Sequence, residues 1–71
     1  MIKLESVDLQ TLAVTEIGVQ PSRVIDAVPF THSLNGNIYN MVNVNYTAAS
    51  KTVRVYVFGT LDDVIALIPN M

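Results

Sequence analysis

Two stretches of the chain alternate between apolar and other residues, and their alternation restricts how they can pair. The even positions of residues 37–46 are apolar except for Asn40, and the odd positions of residues 52–58 are all valines. With 48–51 as the connecting loop, Val44 faces Val55, and both neighbouring even positions also face valines. A slip of one residue would turn every side chain to the other side of the sheet. The pattern therefore predicts an antiparallel hairpin with one apolar side, the valine face: Val42, Val44, Tyr46, Val53, Val55 and Val57.

A short amphipathic helix is predicted after this hairpin, over residues 60–68. Thr60 followed three residues later by Asp63 is a capping-box pattern, with Asp in place of Glu or Gln. Apolar residues then recur at helical spacing and form one stripe: Leu61, Val64, Ile65 and Ile68. About two turns of helix are too short to be stable alone. We therefore expect the helix, which Pro69 ends, to pack on the valine face.

Asn35-Gly36 predicts a second hairpin before the first, because this dipeptide favours a two-residue type I′ turn. Such a loop places Leu34 opposite Asn37, His32 opposite Tyr39 and Phe30 opposite Met41. The expected result is a three-stranded antiparallel meander over about residues 30–58, with 37–46 as its central strand.

The first 29 residues leave alternatives open. The apolar positions of 1–19 change phase three times, which predicts two short strands, or one bulged strand, extending the sheet; a helix from Ser6 is the alternative. Residues 20–29 contain Pro21 and Pro29 and fit either a short helical turn or an irregular connector. The whole chain, 1–71, is thus predicted as a single small α+β domain.

Composition narrows the class of function. The chain of 71 residues has no cysteine, which excludes disulfides and cysteine-based zinc sites. Its net charge is −2 and its four Lys and Arg residues are scattered, so duplex nucleic acid is not an expected partner. No signal peptide or apolar span of about 20 residues occurs in the chain. We expect a cytoplasmic protein that does not act on a membrane.

The other side of the predicted sheet, the aromatic face, is also apolar. It holds four of the five aromatic residues, together with His32, Leu34 and Met41. An apolar surface of this extent is rarely left bare on a monomer. Its cover is either the N-terminal third of the chain or a second copy, a homodimer being the first expectation. The interface predicted for that second copy consists of Phe30, Leu34, Tyr39, Met41, Tyr56 and Phe58.

Residues that could carry chemistry are few. His32 is the single histidine and lacks the partner that a general acid or base requires. Adjacent Asp62 and Asp63 point about 100° apart on a helix, so they form no shared carboxylate site. No phosphate-binding, dinucleotide-binding or zinc-protease motif occurs, and no metal or cofactor is predicted. Amides, a guanidinium and an aromatic ring can together bind a nucleobase and a phosphate, so the candidate residues for a small-ligand or nucleotide site are Asn43, Asn45, Arg54, Tyr56 and His32.

The function expected from these features is that of a small non-enzymatic interaction module. It would self-associate through the aromatic face and bind a partner protein as an accessory, regulatory or inhibitor protein. A viral accessory protein would fit this description. The alternative is a protein that sequesters a small ligand or nucleotide in pockets where subunits meet.

Overall fold

The fold, described for residues 1–69 by a computed structural model, contains five strands and one short helix. In chain order the elements are β1 (Ile2–Val7), β2 (Val14–Val19), a 3₁₀ turn (Pro21–Arg23), β3 (Val24–Leu34), β4 (Asn37–Ala48), β5 (Lys51–Phe58) and α1 (Leu61–Ile65). Strands β1 and β2 form a two-stranded antiparallel sheet, and β3, β4 and β5 form a three-stranded antiparallel sheet with β4 in the centre. The small α+β class and the meander are confirmed.

The predicted strand registers are confirmed in both hairpins. Phe30 pairs with Met41 and His32 with Tyr39, while Val44 pairs with Val55. The loop between β4 and β5 is shorter than the predicted four residues, since pairing continues to Ala48 and Lys51. Ala49 and Ser50 alone form this loop, with φ of 51° and 63°. Two successive left-handed residues match the twist of the flanking strands, which allows the tight turn without the usual Asn-Gly.

Strand β3 begins earlier than the sequence pattern indicated. Helical structure in this region is limited to the 3₁₀ turn, which has Pro21 in its first turn, and β3 starts directly after it at Val24. Pro29 lies within the strand, opposite Val42, and does not end a helix. A proline is tolerated here because β3 is an edge strand of its sheet.

The N-terminal strands are present, but the prediction that they extend the meander is wrong. They pair only with each other, with Leu4 opposite Ile17 and Ile2 opposite Val19. This pairing collects four apolar side chains on one side of the hairpin, which can leave water only by facing another apolar surface. Leu4 and Val19 are accordingly buried in the same core as the valine face, and β1 lies against β5.

The core is completed by the C-terminal helix, as predicted. Val64 and Ile68 are 1% and 0% exposed and pack with the valines of β4 and β5. Helix α1 itself is only five residues long. The backbone of Leu67 and Ile68 continues in tighter bonds to the carbonyls three residues earlier, which carries Ile68 into the core.

The predicted capping box at the start of α1 is also present. The Thr60 hydroxyl accepts a hydrogen bond from the Asp63 backbone N–H, and the Asp63 carboxylate accepts one from the Thr60 N–H, both at 3.2 Å. We expect Thr60→Ala to lower the free energy of unfolding by about 1 kcal/mol, because the Asp63 backbone N–H loses its hydroxyl acceptor at the start of the helix. Thr60→Ser keeps the hydroxyl and should unfold close to the wild-type midpoint in urea. Equal loss in both variants would show that the hydroxyl does not stabilise the helix.

Candidate functional site

The aromatic face is built in rows across the three strands. The central row is Phe30–Met41–Phe58, and the next row toward the start of β3 is Val28–Asn43–Tyr56. Rings from different rows contact each other diagonally. Phe30 and Tyr56 have centroids 5.6 Å apart in an edge-to-face arrangement, and Tyr39 and Phe58 lie 5.9 Å apart. Met41 lies at the centre and is only 1% exposed.

Part of this face is open to solvent. Phe58 is 38% exposed and Val28 is 46% exposed, one on each edge strand of the sheet. Phe30, Tyr39 and Tyr56 are half-buried. The predicted face does not include Val28, because residues 20–29 fit either a short helical turn or an irregular connector. The alternation of Val28 with Phe30, His32 and Leu34 is the signal that identifies it as part of the strand.

The His32 end of the face is closed by the chain itself. The His32 Nε2 atom lies 2.8 Å from the carbonyl oxygen of Leu9, in the loop between β1 and β2. A carbonyl can only accept, so Nε2 carries the hydrogen. The ring also lies across from Tyr39, as its register predicts. The N-terminal third is therefore a partial cover of the aromatic face, at one end.

That loop is held by its own hydrogen bonds. Asp8 Oδ1 accepts from the backbone N–H groups of Gln10 and Thr11, at 2.8 and 3.1 Å. These two donors lower the pKa of Asp8 below its ordinary value, because they favour the charged carboxylate. Leu12 adopts a left-handed φ of 60°, and its N–H bonds the Asp8 carbonyl at 2.7 Å. The loop therefore presents the Leu9 carbonyl from an ordered turn.

The opposite end of the face is polar. Asp26, Asn45 and Arg54 form one row across β3, β4 and β5. The Asn45 amide nitrogen donates to Asp26 Oδ1, and its oxygen accepts from Arg54 Nε at 3.0 Å. Asp26 and Arg54 are both exposed. A carboxylate and a guanidinium thus lie on opposite edges of the sheet, joined through one amide.

The residues predicted to bind a small ligand are only partly brought together. Four of them are neighbours: Asn43, Asn45, Arg54 and Tyr56. His32 instead pairs with Tyr39, which is six residues from Asn45 on β4 and therefore about 20 Å from it along the strand. The Asn45 amide nitrogen also donates to Asn43 Oδ1 at 3.4 Å. Since an amide has two N–H donors, both are used within the sheet. This arrangement explains Asn45 as a cross-strand link.

One open cavity borders the aromatic face. It has a volume of about 530 Å³ and lies between β3, β4 and the start of α1; its lining includes Phe30 and Met41 and has no charged side chain. A second, of about 420 Å³, lies beside the β4–β5 turn and includes Arg23 and Tyr46 in its lining. Within residues 1–69, no three His, Asp or Glu side chains converge on a metal site. No helix in that range is long and apolar enough to cross a membrane.

Neither a family model, nor a curated protein, nor a solved structure matches this chain.

Proposed function

We propose that the protein is a non-enzymatic interaction module that self-associates through its aromatic face. In this state it binds a partner protein as an accessory, regulatory or inhibitor protein. The single observation that carries the proposal is the exposure of Phe58 and Val28 on a face whose centre, Met41, is fully buried. Aromatic residues around a dry centre are typical of interface cores.

The extent of the open surface supports a second copy as its occupant. The N-terminal loop covers the His32 end, and the rows from Asp26 to Phe30 lie beyond it. The open rows contain aromatic, aliphatic and amide groups with one charge of each sign at their end. A surface that carries both signs can match its own copy across a two-fold axis. Three rows are small for an interface, so we expect a concentration-dependent dimer.

Small-ligand sequestration at a subunit interface is the alternative, and it has weaker support. The Asn45 amide uses both N–H donors on neighbouring side chains, and its oxygen accepts from Arg54. Asn45 can therefore only accept a second hydrogen bond at its oxygen, and it cannot donate to a nucleobase without breaking a bond within the sheet. Arg54 and Tyr56 alone would supply charge and stacking but no base-specific pairing.

The test is Phe58→Asp, measured by light scattering over a series of protein concentrations. Wild-type protein should approach twice the mass of the 7.8 kDa chain, and Phe58→Asp should stay at the mass of one chain. The reason is that the substitution places two carboxylates in an apolar contact, where an unpaired charge is costly. Ile38→Asp is the matched control, since Ile38 is 74% exposed and lies opposite Ser33, outside the aromatic face.

Two outcomes would contradict the proposal. One is a wild-type protein that keeps the mass of a single chain at every concentration. The other is a dimer whose mass Phe58→Asp leaves unchanged, which would place the interface elsewhere. Loss of the dimer in Ile38→Asp but not in Phe58→Asp would point to the opposite side of the sheet.

A further inference from the structure

We propose that the second copy docks with its two-fold axis parallel to β4, so that Asp26 of each copy contacts Arg54 of the other. This inference rests on the proposed function and specifies its partner and geometry. It also assigns a role to the polar row, which is formed by Asp26, Asn45 and Arg54. Self-association through aromatic residues alone does not explain this row.

The argument starts from the positions of the two charges. Asp26 lies on β3 and Arg54 on β5, the strands on either side of β4. Strands are about 4.8 Å apart, so the two charges stand at similar distances on opposite sides of Asn45. A two-fold axis parallel to β4 exchanges β3 with β5 and leaves each row at the same height. It therefore brings Asp26 over Arg54 twice, once on each side of the axis.

The same rotation matches the other open rows. Val28 comes over Tyr56 of the second copy, and Phe30 comes over its Phe58, since each pair shares a row. Met41 and Asn43 lie on β4 and meet their own equivalents. Aliphatic and aromatic groups thus face one another, while amide faces amide, which can both donate and accept. Every open row is self-complementary under this axis.

The other two-fold arrangement of two facing sheets does not have this property. An axis perpendicular to the strands places β3 over β3 and β5 over β5. Asp26 and Arg54 then stay over separate edges, and no row brings the two together. Charge complementarity, which determines register and orientation at interfaces, therefore favours the axis parallel to β4.

Asn45 has a positioning role in this arrangement. Its amide donates to Asp26 and accepts from Arg54 in the same chain. These bonds orient both charged side chains within their row and leave each with further hydrogen-bonding capacity, because a carboxylate accepts several bonds and a guanidinium has five N–H donors. The contact across the axis can therefore form without breaking the link within the chain.

The experiment uses two charge reversals, Asp26→Arg and Arg54→Asp, alone and mixed. Each variant alone brings like charges together twice in its own dimer, so its dissociation constant should rise at least about tenfold. In an equimolar mixture, Arg at position 26 of one chain faces Asp at position 54 of the other, and the two native residues, Arg54 and Asp26, also meet. The mixture should recover the dimer as a heterodimer, detected by light scattering and native mass spectrometry.

Mixing separates the contact between copies from the link within one chain. A repulsion inside each variant, or a variant that folds poorly, would not be repaired by adding the other variant. Recovery in the mixture therefore supports the proposed axis. The double variant Asp26→Arg/Arg54→Asp restores opposite charges in both settings, and it should dimerise in the absence of any partner variant.

The failures are distinguishable. If wild-type protein forms no dimer, the proposed function fails and this geometry fails with it. If wild-type protein forms a dimer that Phe58→Asp abolishes, but the reversals do not weaken it, self-association stands and this axis is wrong. The axis is also wrong if both reversals weaken the dimer and their mixture associates no better than either alone.

Discussion

Ile68→Ala is expected to lower the free energy of unfolding by about 2–5 kcal/mol, the range for truncating a buried aliphatic side chain. Ile68 is 0% exposed and packs with Val64 and the valine face. A chain of this length has only about 4–10 kcal/mol of stability in total. A five-residue helix has little stability of its own, so its attachment depends on this side chain and on Val64.

The measurement is urea unfolding at one fixed protein concentration, since association would itself raise the apparent stability. Leu67→Ala is the control at the neighbouring position. Leu67 is 48% exposed, and its truncation should change stability by no more than about 1 kcal/mol. Equal losses at the two positions would contradict the packing of this segment, because only Ile68 is inside the core.

Leu4→Ala is expected to cost a similar amount, about 2–5 kcal/mol. Leu4 is 0% exposed and belongs to the same core cluster as Val42, Val44 and Val57. The result would show that the N-terminal hairpin is an integral layer of the domain. The physical reason is that the hairpin buries its apolar side only against the valine face, and Leu4 is the most buried residue of that side.

Lys3→Ala is the control for this prediction. Lys3 is the neighbouring residue, on the outer side of β1, with a 3.7 Å ion pair to Glu16 in which both side chains are more than half exposed. Exposed pairs contribute little, so its loss should cost less than about 1 kcal/mol. A cooperative unfolding transition unaffected by Leu4→Ala would mean that the hairpin is not part of the folding unit.

The two faces of the three-stranded sheet are treated differently by the rest of the chain. The N-terminal hairpin and the C-terminal helix both pack on the valine face. The aromatic face is contacted at its His32 end by the loop between β1 and β2, and its rings pack against each other in two pairs. This asymmetry is the basis of the proposed self-association, because both the N-terminal hairpin and the C-terminal helix pack on the valine face and not on the aromatic face.

The local sequence was sufficient to predict those features that depend on a pattern within one hairpin or one helix. The registers follow from period-two alternation, since one slip would expose every valine, and Asn35-Gly36 is confirmed as the turn because left-handed φ values suit these residues. The capping box follows from the spacing of Thr60 and Asp63. The aromatic face follows from the same registers, except for Val28 and Asp26, which the predicted face does not include.

The tertiary structure decided what sequence patterns leave open, namely which surface each element packs against. Residues 1–19 show strand character, but the pattern does not distinguish a strand that joins a sheet from a hairpin that covers one. The burial of Leu4 and Val19 in the core shows that these residues form a hairpin that covers the valine face. The polar row is likewise a product of the fold, since Asp26, Asn45 and Arg54 are far apart in the chain and meet only across three strands. Hairpin registers and helix caps join residues that are close in the chain, so the sequence shows a pattern for them. The surface on which an element packs depends on the apolar area of residues that are distant in the chain, and this area cannot be read from a short stretch of sequence.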